Sequence, residues 1–202
     1  MSNKNIRRKA KRLTSEQIGQ AFRQARQTRT PERDVVLLHL SYGLGLRACE
    51  MSRLQWDRHL LDAEGAFTGQ LWISGDIAKN GRERTLTIPQ PIFDALVELH
   101  TAQDGEEEFV IHSPIEGRNG VSPNALAQWF IRFYRDCGFN GVSSHSGRRT
   151  FGTNKAKSIT KHGGTLRDVQ LAMGHACLSS TEEYIDETPA ARKMITDLDY
   201  AV

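Results

Sequence analysis

A mainly α-helical fold with one small antiparallel β-sheet, an α+β arrangement, is what this sequence predicts. Three observations predict it. Apolar residues recur at helical spacing along most of the chain, as in Ile18, Ala21, Phe22 and Ala25. Caps and breakers bracket those runs, with Thr14 and Gln17, Thr30-Pro31, Ser122-Pro123 and Thr165 with Asp168 at the starts, and Gly43, Gly45 and Gly174 at the ends. Between Leu60 and Pro89 the pattern changes to short β-prone runs around a turn.

Thr14 and Gln17 form a capping box ahead of the first helix. A second helix opens at Thr30-Pro31, carries Val35, Val36, Leu37, Leu38 and Leu40, and stops at Gly43-Leu44-Gly45. Arg47 to Leu54 is a short helical stretch. Leu71-Trp72-Ile73 and Thr85-Leu86-Thr87-Ile88 read as strands joined through the turn-prone Lys79-Asn80-Gly81. Helices resume after Pro91 (Ile92, Leu96, Leu99), after Ser122-Pro123 (Leu126, Trp129, Phe130, Phe133) and at Ser143-Ser144 (His145, Arg148, Phe151). Another runs from Thr165 through Leu166, Val169, Leu171 and Ala172 to Gly174. Lys155 to Gly164 reads as a polar, glycine-ended surface loop between two of these helices. A small last helix is expected from Pro189 to about Leu198.

The length of 202 residues suits one domain with a proper core. No run approaches the roughly 20 apolar residues that span a bilayer, which argues against a membrane protein. No apolar stretch follows the basic N-terminus, so it does not read as a secretory signal. Cys49, Cys137 and Cys177 are widely spaced and odd in number, and read as reduced cytosolic thiols. The net charge of +3 is unevenly placed: residues 1–29 hold nine Lys/Arg against one acid, Glu16. Lys4, Arg7, Arg8, Lys9, Lys11 and Arg12 make a basic arm, which reads equally as a phosphate-neutralising segment or as a solvated terminus.

Six positions carry side chains suited to chemistry. Arg47 follows a double-glycine break, with Glu50 one turn on to hold its guanidinium; taken singly, the two read as an ordinary surface ion pair. Lys79 sits at the tip of the expected hairpin, with Arg82 and Arg84 nearby, which reads as a soluble edge or a phosphate-facing turn. His145 and Arg148 share a helical face, placing a proton carrier beside a forked cation. His175 follows the helix-ending Gly174, and Tyr184 lies nine residues further. Each alone reads as structural.

Their order is more informative than any one of them. Gly45-Leu-Arg-Ala-Cys-Glu50, Lys79-Asn-Gly-Arg-Glu-Arg-Thr-Leu-Thr-Ile-Pro89, His145-Ser-Gly-Arg-Arg-Thr-Phe151, Leu171-Ala-Met-Gly-His175 and Thr181-Glu-Glu-Tyr184 together resemble the tyrosine recombinase, or phage integrase, family. The resemblance runs from about Leu13 to Tyr184. It implies the catalytic-domain fold of that family and a site-specific recombinase that cleaves and rejoins double-stranded DNA, in integration, excision or inversion. It implies that Tyr184 attacks the scissile phosphate to form a 3′-phosphotyrosyl bond, and that Arg47 and Arg148 clamp the non-bridging oxygens. Lys79 would protonate the leaving 5′ oxygen, His145 would assist proton transfer from Tyr184, and His175 would orient the phosphate. It implies no metal and no other cofactor, a tetramer on DNA, accessory DNA-bending proteins as further partners, and a cytoplasmic, nucleoid-associated protein. Tyr42, Tyr134 and Tyr200 lack the Gly-His context, and Tyr200 ranks a distant second as nucleophile.

The expected organisation is a basic arm (residues 1–13), a catalytic domain (14–188) and a C-terminal tail (189–202). Most members of the family carry a further N-terminal helical domain ahead of the catalytic one. The starting Met1 and the arm favour a one-domain recombinase over a remnant of a larger integrase. In the tail, Ala190, Ala191, Met194, Ile195 and Leu198 form an apolar set at helical spacing, to pack in cis or on a neighbouring protomer. Two rivals stand beside this reading: a non-catalytic DNA-binding module, suggested by the helix-turn-helix look of residues 165–185, and a type IB topoisomerase-like relaxing enzyme.

Overall fold

The computed structural model describes residues 10–112 and 120–182. The expected final helix at Pro189, the tail, most of the basic arm and Tyr184 lie outside the described residues.

Thr14 caps α1 (Ser15–Ala25) with the expected reciprocal pair: its Oγ accepts from the Gln17 amide at 3.2 Å, and the Gln17 side chain accepts from the Thr14 amide at 3.0 Å. Helix α2 (Pro31–Leu38) starts with Pro31 in its first turn and buries Val36, Leu37 and Leu38. It does not stop cleanly at the glycines. The chain widens into a π-helical turn, His39–Gly43, which leads through Gly45 to α3 (Ala48–Met51), with Arg47 at its N-cap. After α4 (Trp56–His59), β1 (Gln70–Ile73) and β2 (Arg84–Thr87) pair antiparallel with Leu71 opposite Leu86 and Trp72 opposite Thr85. The expected hairpin has a ten-residue connection, 74–83, within which Lys79–Gly81 makes a 3₁₀ turn and Asn80 takes φ 68°.

Helices α5 (Gln90–Ala102), α6 (Pro123–Asp136) and α7 (Ser144–Ser158) follow their predicted starts. Lys155 and Lys157 do not lie in a loop. They occupy the last turns of α7, and a 3₁₀ turn, Ile159–His162, continues to the left-handed Gly163. The Lys155 ammonium lies 5.6 Å from the Phe151 ring centroid, so the basic run is the solvated flank of a helix packed through Phe151. Helix α8 (Leu166–Met173) carries the predicted Thr165–Asp168 capping box and ends at Gly174, and α9 (Ser179–Glu182) follows.

One large apolar cluster runs from Leu13 to Val142 and includes Leu37, Leu46, Trp56, Ile73, Leu96 and Phe130. A second small cluster joins Phe151 of α7 to Val169 and Met173 of α8. Helix α7 packs on the π turn, and Gly147 permits this close approach, because a Cβ there would fall 2.0 Å from Ser41 Oγ. No helix among the described residues is long and apolar enough to cross a membrane.

Candidate active site

The site forms where the end of α8 meets the start of α3, the start of β2 and the first turns of α7. A helix C-terminus concentrates unpaired carbonyls and negative dipole. Here three arginines meet it. Arg84 Nε donates to Ala172 O at 3.0 Å. Arg148 Nη2 donates to Met173 O at 2.5 Å, and its Nη1 to Gly45 O at 2.6 Å. Arg47 Nη1 reaches the same Met173 carbonyl at 3.5 Å. Gly174 makes room by turning left-handed at φ +60°, and a Cβ at that position would lie 2.9 Å from Arg84 Nη1.

Glu50 organises two of these cations. Its carboxylate accepts from Arg84 Nη1 and Nη2 at 3.1 and 2.8 Å, from Arg47 Nη1 at 2.9 Å and from the Arg47 amide at 2.9 Å. The Arg47–Glu50 pair is therefore not the ordinary surface pair that its spacing suggests, since the Glu50 side chain is 0% exposed and Arg47 18%. Burial alone would raise the Glu50 carboxyl, but the hydrogen bonds and charge of Arg84, and then of Arg47, outweigh it and hold the group below its ordinary range.

Arg84 does not accompany Lys79 toward solvent. Its side chain is 6% exposed and locked to Glu50. The strand period held the clue, because Arg84 shares a face with the buried Leu86, and an inward charge needs a partner.

The two histidines stand beside these cations. His145, in the first turn of α7, is held below the ordinary imidazole range by burial, then by the charges of Arg148, Lys79 and Arg47. His175 is pushed down to about 4 by burial, then by Arg148, Arg47 and Arg84, with Glu50 opposing. For both rings the downward shift favours the neutral imidazole over the cation. His175 Nδ1 pairs with Thr181 Oγ at 2.9 Å, and its backbone carbonyl accepts from Gln170 Nε2 at 3.1 Å. Gln170 and Thr181 carried no sign of this role in the sequence.

Arg47, Lys79, His145, Arg148 and His175 are thus brought to one region by the starts of α3 and α7, the strand connection and the end of α8. The sixth sequence candidate, Tyr184, lies outside the described residues. Tyr42 and Tyr134 are no substitutes for it. Their hydroxyls pair at 2.7 Å, Tyr134 is fully buried, and burial raises the pKa of both.

Glu50→Gln is expected to destabilise the fold by about 3–5 kcal/mol, because Arg84 would keep its burial and lose its counter-charge. Denaturant midpoints at neutral pH measure this. The Glu50 contribution is present above the ordinary carboxyl value of 4.5 and is lost as pH falls through the lowered folded value. The gap between wild type and variant should therefore close only below that value.

The model of the Phage integrase family matches residues 11–191, nearly the whole chain. The chain belongs to the phage integrase family. Within that family it is 28% identical over 175 residues to the tyrosine recombinase XerA of Pyrococcus furiosus, covering 86% of this chain and 56% of the relative. It is 31% identical over 157 residues to the tyrosine recombinase XerC of Escherichia coli O157:H7, covering 75% of this chain and 48% of the relative. The chain thus spans about half the length of these curated relatives. Among solved structures, the Tn1549 transposon integrase in complex with a circular intermediate DNA superposes with a TM-score of 0.75 at 17% identity, over 93% of this chain and 65% of that one. The crystal structure of XerA recombinase gives 0.69 at 17% identity, over 91% and 63%. The phage integrase catalytic-domain fold, mostly helical with a two-stranded sheet, is therefore the fold of this chain.

Proposed function

We propose that this phage integrase family member cleaves and rejoins double-stranded DNA at specific sites through a 3′-phosphotyrosyl bond at Tyr184, without a metal. The observation that carries the reading is the convergence of Arg47 and Arg148 on the Met173 carbonyl, just ahead of His175 and of the segment leading to Tyr184. Phosphoryl transfer gathers negative charge on the non-bridging oxygens. Arg148 is held in place by two carbonyls, and Arg47 is held through Nη1 while its Nη2 and Nε make no hydrogen bond among the described residues. Two such guanidinium groups form a preorganised clamp for that charge.

Neutral His145 would take the Tyr184 proton, and exposed Lys79 would protonate the departing 5′ oxygen. His175 would hydrogen-bond the phosphate. The phosphotyrosyl bond conserves the energy of the phosphodiester, so rejoining needs no nucleotide. The relatives named tyrosine recombinases and the DNA-bound integrase support this assignment.

Double-stranded DNA is the proposed partner, gripped also by the arm. Residues 11–14 and α7 line an open groove of about 450 Å³ that includes Lys11, Arg12, Asn154 and Lys157. We propose residues 14–188 as the catalytic unit, residues 189–202 as a tail that packs in cis or on a neighbouring protomer, and assembly of four protomers around two duplexes in the nucleoid.

The test is covalent capture. The full chain is incubated with pooled native DNA and denatured, and the protein-linked fragments are digested to nucleotide-bearing peptides for mass spectrometry. The modification is expected on Tyr184. Modification of Tyr200 instead would move the nucleophile. Tight binding without any adduct would favour the non-catalytic DNA-binding module, and plasmid relaxation without recombinants would favour a topoisomerase-like enzyme.

A further inference from the structure

Ser74 opens the connection that carries Lys79, and it belongs to a chain of side chains reaching back to α4. The Gln55 amide donates to His59 Nδ1 at 3.0 Å. His59 Nε2 lies 3.0 Å from Ser74 Oγ, and Ser74 Oγ lies 2.6 Å from Asp76 Oδ1. Arg58 clamps the Asp76 carboxylate at 2.8 and 3.1 Å, and Arg53 Nη1 reaches the Asp76 carbonyl at 3.4 Å.

The directions of these bonds follow from the protons. A hydroxyl 2.6 Å from a carboxylate oxygen must donate to it, because two acceptors at that distance repel. Ser74 therefore spends its proton on Asp76 and accepts from His59, which places the His59 proton on Nε2 and leaves Nδ1 to accept from Gln55. Each bond fixes the next. Burial, with Arg58, keeps the ring below its ordinary range against the Gln55 carbonyl, 3.2 Å from Nδ1, and Asp76, which both favour the cation, in keeping with this neutral tautomer.

The backbone of Ser74 does a second job. Its carbonyl accepts from the Ile77 and Ala78 amides at 3.3 and 2.9 Å, closing the turn that delivers Lys79. His59 and Ser74 are each 2% exposed, and Ile77 and Ala78 are buried, whereas Lys79, Asn80 and Gly81 are exposed. The anchored half of the connection thus ends where Lys79 begins.

We infer that the relay His59–Ser74–Asp76–Arg58 positions Lys79, by pinning the Ser74–Ala78 turn to α4. His59 and Ser74 are positioning residues that act through the turn and touch no substrate. The inference rests on the reading of Lys79 as the acid for the leaving oxygen.

Two measurements on the full chain test it. In Ser74→Ala, which removes one oxygen, the Ile77 and Ala78 amides should exchange hydrogen about tenfold faster, while amides of α5 and α6 keep their rates. Unchanged exchange at Ile77 and Ala78 would overturn the inference, whatever the protein does to DNA. The second measurement uses a duplex recovered by covalent capture, with either oxygen or sulfur at the bridging 5′ position. A thiolate leaves without protonation, so a misplaced acid matters only for the oxygen strand. Ser74→Ala should cleave the oxygen strand about tenfold more slowly and the sulfur strand at the wild-type rate, as should Lys79→Ala with a larger oxygen defect. If sulfur fails to rescue Lys79→Ala, the acid assignment falls and the exchange result still decides the relay. If sulfur rescues Lys79→Ala but Ser74→Ala is slow on both strands or on neither, the relay does not act through Lys79.

Discussion

Tyr184→Phe is expected to abolish covalent capture of DNA while leaving the fold and DNA binding in place. The change deletes only the oxygen that would bond to phosphorus, and no described tyrosine can replace it. Tyr42 and Tyr134 hydrogen-bond each other, and burial makes both hydroxyls harder to deprotonate. A nucleophile must instead reach solvent, lose its proton and meet the arginine clamp. Retained binding with complete loss of adduct on the captured duplex is the expected pair of results. Wild-type adduct levels in Tyr184→Phe would transfer the role elsewhere, with Tyr200 next in line.

Arg148→Ala is expected to slow adduct formation ~10²–10³-fold, the usual consequence of removing one preorganised donor from a charge-stabilising site. The side chain is 4% exposed and bridges Gly45 O to Met173 O, so its geometry is set before any phosphate arrives. Its loss also strips a donor from two carbonyls, at about 1–3 kcal/mol each. The two effects separate by experiment: thermal melts report the second, and adduct rates well below the melting range report the first. Arg148→Lys is expected to recover only part of the rate. An ammonium carries the charge but lacks the planar fork that spans both carbonyls. Full recovery by lysine would mean that charge alone, rather than the held fork, is what position 148 contributes.

Much of the fold was legible because it is written locally. The Thr14–Gln17 and Thr165–Asp168 boxes, Pro31 and Pro123 in first turns and Gly174 at a helix end each act within a few residues, and each stands where the sequence placed it. The strand pair was visible as two short β-prone runs, Leu71-Trp72-Ile73 and Thr85-Leu86-Thr87-Ile88, on either side of a turn. The Lys155–Gly164 run misled because lysines solvating a helix flank have the same composition as a loop. The π turn after α2 left no signal in the apolar period.

For the site, the residue types and their order were readable, and the resemblance they carry names the family. Their surroundings were not. Glu50 is joined to Arg84 across 34 positions, Gly45 to Arg148 across 103 and Arg47 to Met173 across 126. By itself the sequence determined most of the helices, the sheet, the caps and the chemical identity of the candidate residues, since propensity and periodicity act over one or two turns. Only the tertiary structure decided that Glu50 and Arg84 are buried together, that three arginines close on the end of α8, and that a histidine relay underlies Lys79. Such contacts depend on burial, which sets the cost of a lone charge and so dictates its partner, and burial is a property of the packed chain.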